Sequence, residues 1–154
     1  MERAEREALI ARYIAGPQVL EDVLAAVPQD KLDSTQVAGE WTPRQIAHHV
    51  ADSETMSYIR LRRLLAEEQP VIQGYDEEEF ARKLHYERPV EASLAVTRAV
   101  RASSAALLAA LSEEEWGRSG THSDSGSYAV TDWLQIYAAH CHDHADQIRR
   151  AAGI

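Results

Sequence analysis

The stretch from Trp133 to Ile154 limits what this chain can fold into more than any other part of it. An α-helix turns about 100° per residue, so positions three or four apart share a face. Trp133, Tyr137, His140, Cys141, His144, Ile148 and Ala151 follow that spacing and make one continuous stripe. Such a stripe has to be buried against other elements, which fixes this segment as a core helix. Two of its inward positions, His140 and His144, are imidazoles one turn apart. Two imidazoles at that spacing can share a metal ion, provided another element supplies a third ligand. His142 falls on the opposite side and is expected at the surface.

Three further long helices are legible upstream. Arg3 to Val27 carries a helical apolar pattern, interrupted by Gly16-Pro17, where a kink or break is expected. Gln29 to Asp33 can form one helical turn. The second long helix opens at Thr42-Pro43-Arg44-Gln45. Thr42 suits the N-cap, Pro43 the first helical position, and Gln45 completes a capping box. It runs to about Glu68, where Pro70 stops it. Its inner stripe is Ile46, Val50, Ser53, Ser57, Leu61 and Leu64. His49 stands within reach of the interior, whereas its neighbour His48 points roughly the other way and reads as a surface or interface residue. His49 is therefore the candidate third ligand. The third long helix spans Val90 to Leu111. Shorter helical pieces are expected at Asp76–Leu84 and after Ser112, which forms a capping box with Glu115. Gln73 to Asp76 reads as a turn and Gly117 to Ser127 as a loop, and either Thr131 or Asp132 should cap the last helix.

Four long helices, little β-pattern and connections long enough to cross over describe an all-α four-helix bundle filling residues 1–154 as one domain. A bundle builds metal sites from facing helices, here His49 from the second with His140 and His144 from the fourth. Two neutral imidazoles buried among apolar neighbours lack hydrogen-bond partners, and an ion would satisfy both. His85 and His122 lie in connections and are not candidates. Cys141, the one cysteine, reads as a small buried hydrophobe. It cannot pair within the chain, which points to a reducing compartment, the cytoplasm. The charged start Met1-Glu2-Arg3-Ala4-Glu5-Arg6-Glu7 is helical rather than a signal peptide, and no apolar run approaches a membrane span. The formal net charge of −9 argues against nucleic acid as a partner. Asp52, Glu54, Tyr137 and Asp143 are the polar residues able to support the ligands or accept a proton. Arg60 leans the same way as His49. Its stem can pack with its head in water, or its charge can hold an anionic substrate group.

The run Trp41-Thr42-Pro43-Arg44-Gln45-Ile46-Ala47-His48-His49-Val50-Ala51-Asp52-Ser53 resembles the second-helix motif of the DinB/YfiT-like superfamily. Tyr58-Ile59-Arg60, Tyr75-Asp76-Glu77 and Tyr137-Ala138-Ala139-His140 with His144 resemble its YfiT branch. The resemblance covers most of the chain. It implies a four-helix bundle, usually a homodimer, with a divalent metal held by three histidines. By position those are His49, His140 and His144. Asp143 departs from the pattern, where another histidine stands in the YfiT branch.

Three neutral ligands leave a divalent ion with its full charge and with open positions. Such an ion lowers the pKa of a bound thiol or water. Zn, Ni, Fe and Mn all accept this donor set. His140-Cys141-x-x-His144 lacks the glutamate of the His-Glu-x-x-His peptidases, so that route to peptide hydrolysis is not expected. Because YfiT-like proteins include bacillithiol transferases, the resemblance implies a metal-dependent transferase that joins a low-molecular-weight thiol to an electrophilic substrate. Two other readings stay open: a metal-dependent hydrolase that activates water at the same site, and a non-catalytic metal-binding bundle.

Overall fold

The computed structural model describes all 154 residues. Four long helices form the bundle: α1 (Arg3–Ala26), α2 (Pro43–Ala66), α4 (Glu91–Leu108) and α6 (Val130–Ala152). The short helices α3 (Glu77–Lys83) and α5 (Glu113–Trp116) lie in the connections. No helix is long and apolar enough to cross a membrane. α1 packs on α6 and α4, and α2 packs on the same two, so α1 and α2 sit diagonally across the bundle. The N-terminal half of α6 and Tyr13 of α1 share one core cluster with the C-terminal ends of α2 and α4. Hence α1 and α6 run one way and α2 and α4 the other. The α1–α2 and α4–α6 links cross the diagonal, and the α2–α4 link returns along the bundle. The long connections are needed for this topology.

The starts of the helices follow their local chemistry. Thr42 Oγ1 accepts from the Gln45 amide while Gln45 Oε1 accepts from the Thr42 amide. Ser112 and Glu115 repeat this reciprocal pattern at α5. The last helix begins at Val130, and Asp132 serves it from inside the first turn by accepting from the Ala129 amide at 2.8 Å. Neither Thr131 nor Asp132 occupies the cap position itself.

A further expectation needs correction. The segment 117–127 is not a loop throughout: β2 (Ser119–His122) and β3 (Gly126–Ala129) form a hairpin, and β1 (Val71–Ile72) pairs with β2 in parallel, Val71 opposite Thr121. Gly126, at φ +81°, makes the hairpin turn without strain. Strands of four residues rich in Gly and Ser lack the β-branched and aromatic alternation that marks a strand, and the third strand comes from another connection. The small sheet closes the end of the bundle where Ile72 and Tyr128 are buried.

At Gly16-Pro17, of the kink or break that the sequence allows, the break is excluded. α1 runs through it unbroken. Pro17 has no N–H, so the Tyr13 carbonyl loses its helical donor. Arg101 of α4 supplies a replacement: its Nη1 donates to Tyr13 O at 2.6 Å. Gly16 makes the approach possible, since a Cβ there would collide with the Arg101 guanidinium and lie 2.9 Å from Cys141 Cβ. The pair is a docking point for a buried cation, not a break.

That docking point belongs to a polar layer across the bundle. On one side lies a cluster of twelve buried residues rich in aromatics, including Tyr13, Trp116, Trp133 and Tyr137. On the other lies a mainly aliphatic cluster of twelve, including Leu20, Leu24, Ile46, Val50 and Ile148. Full burial of such side chains contributes about 1.5–3 kcal/mol each. Between the clusters come Gly16 and Pro17 of α1, Ser53, Glu54 and Ser57 of α2, Thr97, Arg101 and Ser104 of α4, and His140 of α6. Breaking a hydrophobic core in this way has to be compensated by paired polar groups.

Candidate metal centre

Glu54 is completely buried and organises the polar layer. Its Oε1 accepts from Arg101 Nη2 at 2.7 Å and from His140 Nδ1 at 2.8 Å. Burial alone would push this carboxyl up, but the Arg101 charge and the His140 contact outweigh it and hold Glu54 below the usual carboxylate range. Arg101, just as buried, also donates to the Tyr137 carbonyl at 2.7 Å and lies over the Tyr13 ring. One ion pair thus ties α1, α2, α4 and α6 together at a single level.

The consequence for His140 is specific. With Nδ1–H donated to Glu54, its tautomer is set and Nε2 is left free. His144, one turn on, donates Nδ1–H to Gln147 Oε1 at 2.7 Å, which frees its Nε2 in the same way. His49 comes from α2 to meet them. The ring centroids of His49 lie 4.8 Å from His144 and 5.8 Å from His140, and those of His140 and His144 are 4.6 Å apart. One nitrogen from each of the three lies within 4.8 Å of the others, and no fourth His, Cys, Asp or Glu joins the group. The three candidate ligands read from the sequence are therefore brought together.

Burial keeps two of these rings neutral. His49 is lowered from 6.5 to about 3, first by burial and then by the neighbouring His144 and His140. His144 is lowered to about 4 by burial and by His140. At neutral pH each therefore keeps one nitrogen with a free lone pair. His49 Nδ1 is buried and has no hydrogen-bond partner at all. An orphaned imidazole nitrogen costs free energy that only a missing ligand or water would recover. Three converging imidazoles, two with tautomers fixed from behind and one with an orphaned nitrogen, fit a divalent ion.

The cluster opens onto a cavity of about 310 Å³ lined by Glu40, Trp41, Glu77, Glu78, His49 and His144. Trp41 lies 4.6 Å from the His49 ring and covers it. The carboxylates at the mouth favour cations and small ligands of low negative charge.

The other histidines separate clearly. His48 is not at the surface: it is fully buried, and both ring nitrogens are satisfied. Nε2–H donates to the Arg88 carbonyl at 2.9 Å and Nδ1 accepts from the Ser93 hydroxyl at 2.8 Å. The outward reading assumed one buried face on α2, whereas α2 packs on α4 and α6 at once. His142 points away from the cluster and is half-buried against α1, where its Nε2–H donates to the Arg12 carbonyl at 3.0 Å. Among the polar residues weighed as supports, Asp52 bonds Tyr86 and Asp143 reaches toward Arg12 on the surface, so only Glu54 holds a candidate ligand. Arg101 and Gln147 were missed. For Arg101 the Gly16-Pro17 pair was the available signal, since it announces a carbonyl in need of a donor. Cys141 is buried as expected, and its thiol is pushed up to about 12, mainly by burial.

The fold and the cluster define a class: a crossed-over four-helix bundle with an open three-histidine centre between its second and last long helices. Residues 12–148 match the family model of the DinB superfamily, and the chain belongs to that superfamily. A protein of Oceanobacillus iheyensis named "Putative metal-dependent hydrolase" is 37% identical over 132 residues, covering 86% of this chain and 77% of its own length. A protein of the same name from Bacillus cereus is 33% identical, covering 86% and 76%. Among solved structures, YfiT from Bacillus subtilis, described as "a probable metal-dependent hydrolase with an unusual four-helix bundle topology", superposes with a TM-score of 0.90 at 28% identity. The match covers 97% of this chain and 89% of that one. A mycothiol-dependent maleylpyruvate isomerase shares the fold, with a TM-score of 0.74 at 14% identity over 93% of this chain and 60% of its own.

Proposed function

We propose that the chain is a metal-dependent enzyme in which His49, His140 and His144 hold one divalent ion, and that it joins a low-molecular-weight thiol to an electrophilic substrate. The observation that carries the metal reading is the convergence of three imidazoles with no fourth protein ligand, next to an open cavity. Bound there, a divalent ion supplies Lewis acidity and makes a thiol or a water a better nucleophile near neutral pH. The remaining work falls to the protein. Glu54 and Gln147 keep the proton on Nδ1 of His140 and His144, so that Nε2 faces the site. Trp41 shields the His49 ring from water. The buried Cys141 thiol is protonated and enclosed, so the nucleophile has to come from solution.

The choice of a thiol rests on the resemblance to the YfiT branch. A second reading, a hydrolase with water as nucleophile, is favoured by the names of the *Oceanobacillus* and *Bacillus* relatives. One experiment separates them. Purified protein is analysed for Zn, Ni, Fe and Mn, then assayed against a halogenated aromatic electrophile with several cellular thiols, and against esters and amides without thiol. Conjugation that needs both ion and thiol supports the transferase. Ester or amide hydrolysis at the same rate without thiol, with no conjugation, overturns it.

A further inference from the structure

Eight buried side-chain polar atoms in the protein lack a hydrogen-bond partner, and three of them, Arg60 Nε, Tyr75 Oη and Tyr128 Oη, belong to side chains in the neighbourhood of Tyr137. Arg60 Nη1 donates to the Tyr137 hydroxyl at 3.0 Å and Nη2 to the Gln73 carbonyl at 3.1 Å. The Arg60 guanidinium also lies 5.9 Å from the centre of the Tyr75 ring. Tyr128 is 4% exposed, so its free hydroxyl is enclosed rather than left to bulk water. Burial pushes the phenols of Tyr75, Tyr128 and Tyr137 up, and all three keep their protons at neutral pH. Arg60 forms no ion pair with any carboxylate, although the chain carries 25 acidic residues against 16 basic ones. A half-buried cation left without a counter-charge, beside phenols of which Tyr128 has no partner at all, is a site lacking its anion.

The place adjoins the histidine cluster. Tyr137 precedes His140 by less than one turn, and their rings are 5.6 Å apart. Ser53, beside the Tyr75 and Tyr137 hydroxyls, stands one turn after His49. We propose that Arg60, Tyr75, Tyr128 and Tyr137 form a carboxylate-binding pocket that holds the anionic end of the substrate beside the three-histidine cluster. One guanidinium among neutral phenols balances a single negative charge. A phosphate dianion would leave one negative charge unbalanced by Arg60, so the occupant is a monocarboxylate. Delivery of the substrate to the ion rests on the function proposed above, but binding of the carboxylate does not.

The test separates the two. Propionate, with propanol and inorganic phosphate as controls, is titrated by calorimetry or NMR into metal-free wild-type protein, Arg60→Gln and Tyr128→Phe. Wild type should bind propionate in preference to both controls. Arg60→Gln should weaken that binding by about tenfold or more, since a charged hydrogen bond is lost. Tyr128→Phe should weaken it several-fold while keeping or raising the Tm, because it removes an unpaired buried hydroxyl. A hydroxyl serving only the fold would lower the Tm and leave propionate binding alone. Cobalt-loaded protein then reports thiol binding through its absorption. There 3-mercaptopropionate should outbind 2-mercaptoethanol in wild type and lose that advantage in Arg60→Gln. If neither thiol alters the cobalt spectrum while propionate still binds, the thiol reading fails and the pocket stands. Propionate binding unchanged in both variants, or no tighter than propanol in wild type, overturns the pocket.

Discussion

Helix α2 sends two adjacent histidines into opposite sides of the bundle, and the two sides treat an imidazole differently. On the α4 side His48 is closed off: one nitrogen donates to Arg88 O, the other accepts from Ser93, and nothing remains to bind. On the α6 side His49 is as buried but has an orphaned Nδ1 and meets two further imidazoles beside an open cavity. Burial pulls both residues toward the neutral form. Low exposure and a depressed pKa therefore do not distinguish a structural histidine from a candidate ligand. The state of the remaining nitrogens does. A satisfied imidazole stabilises the fold, and an unsatisfied one stores a capacity for a ligand.

The comparison can be tested most severely at the group behind the site. Removing one member of the Glu54–Arg101 pair, as in Arg101→Leu or Glu54→Ala, leaves a buried charge alone and should destabilise the protein by about 3–5 kcal/mol. Urea denaturation measures this, and a loss below about 1 kcal/mol would mean that water reaches the polar layer.

Next in size are the two faces of α2 themselves. His49→Ala and His144→Ala should weaken divalent-ion binding by about a hundredfold or more, since loss of an outer support alone commonly costs 10–100-fold. Isothermal titration with zinc reads it. His48→Ala should behave in the opposite way. It should keep the ion but lose about 1–3 kcal/mol of stability, because it strands the Ser93 hydroxyl and the Arg88 carbonyl. Loss of zinc in His48→Ala with retention in His49→Ala would reverse the assignment of the faces.

The same comparison has a pH dependence. His49 and His144 have folded-state pKa values of about 3 and about 4, below their ordinary 6.5, so the unfolded chain takes up protons first. Metal-free protein should hold its full stability above about pH 6.5 and lose it progressively as the pH falls toward 4 and then 3. Bound metal should delay that loss, since it binds only the neutral rings. His49→Ala should flatten the limb between pH 6.5 and 4, as measured by denaturant midpoints across that range.

The sequence by itself determined the helices, the bundle and the three candidate ligands. Helical periodicity placed His140 and His144 on the buried face, capping boxes marked α2 and α5, and one turn of spacing made the imidazole pair. These are properties of single elements, written within ten or twenty neighbouring residues. Only the tertiary structure decided which of the remaining polar residues matter. His48 could be placed only once α2 was seen to pack on two helices. Arg101 acquired its role because Pro17, on a different helix, left a carbonyl free. The β2–β3 hairpin gained its third strand because Val71 and Thr121 met from separate connections. Each of these depends on pairing between segments far apart in the chain, and a hydrogen bond or ion pair of that kind leaves its two halves in the sequence with nothing to say that they belong together.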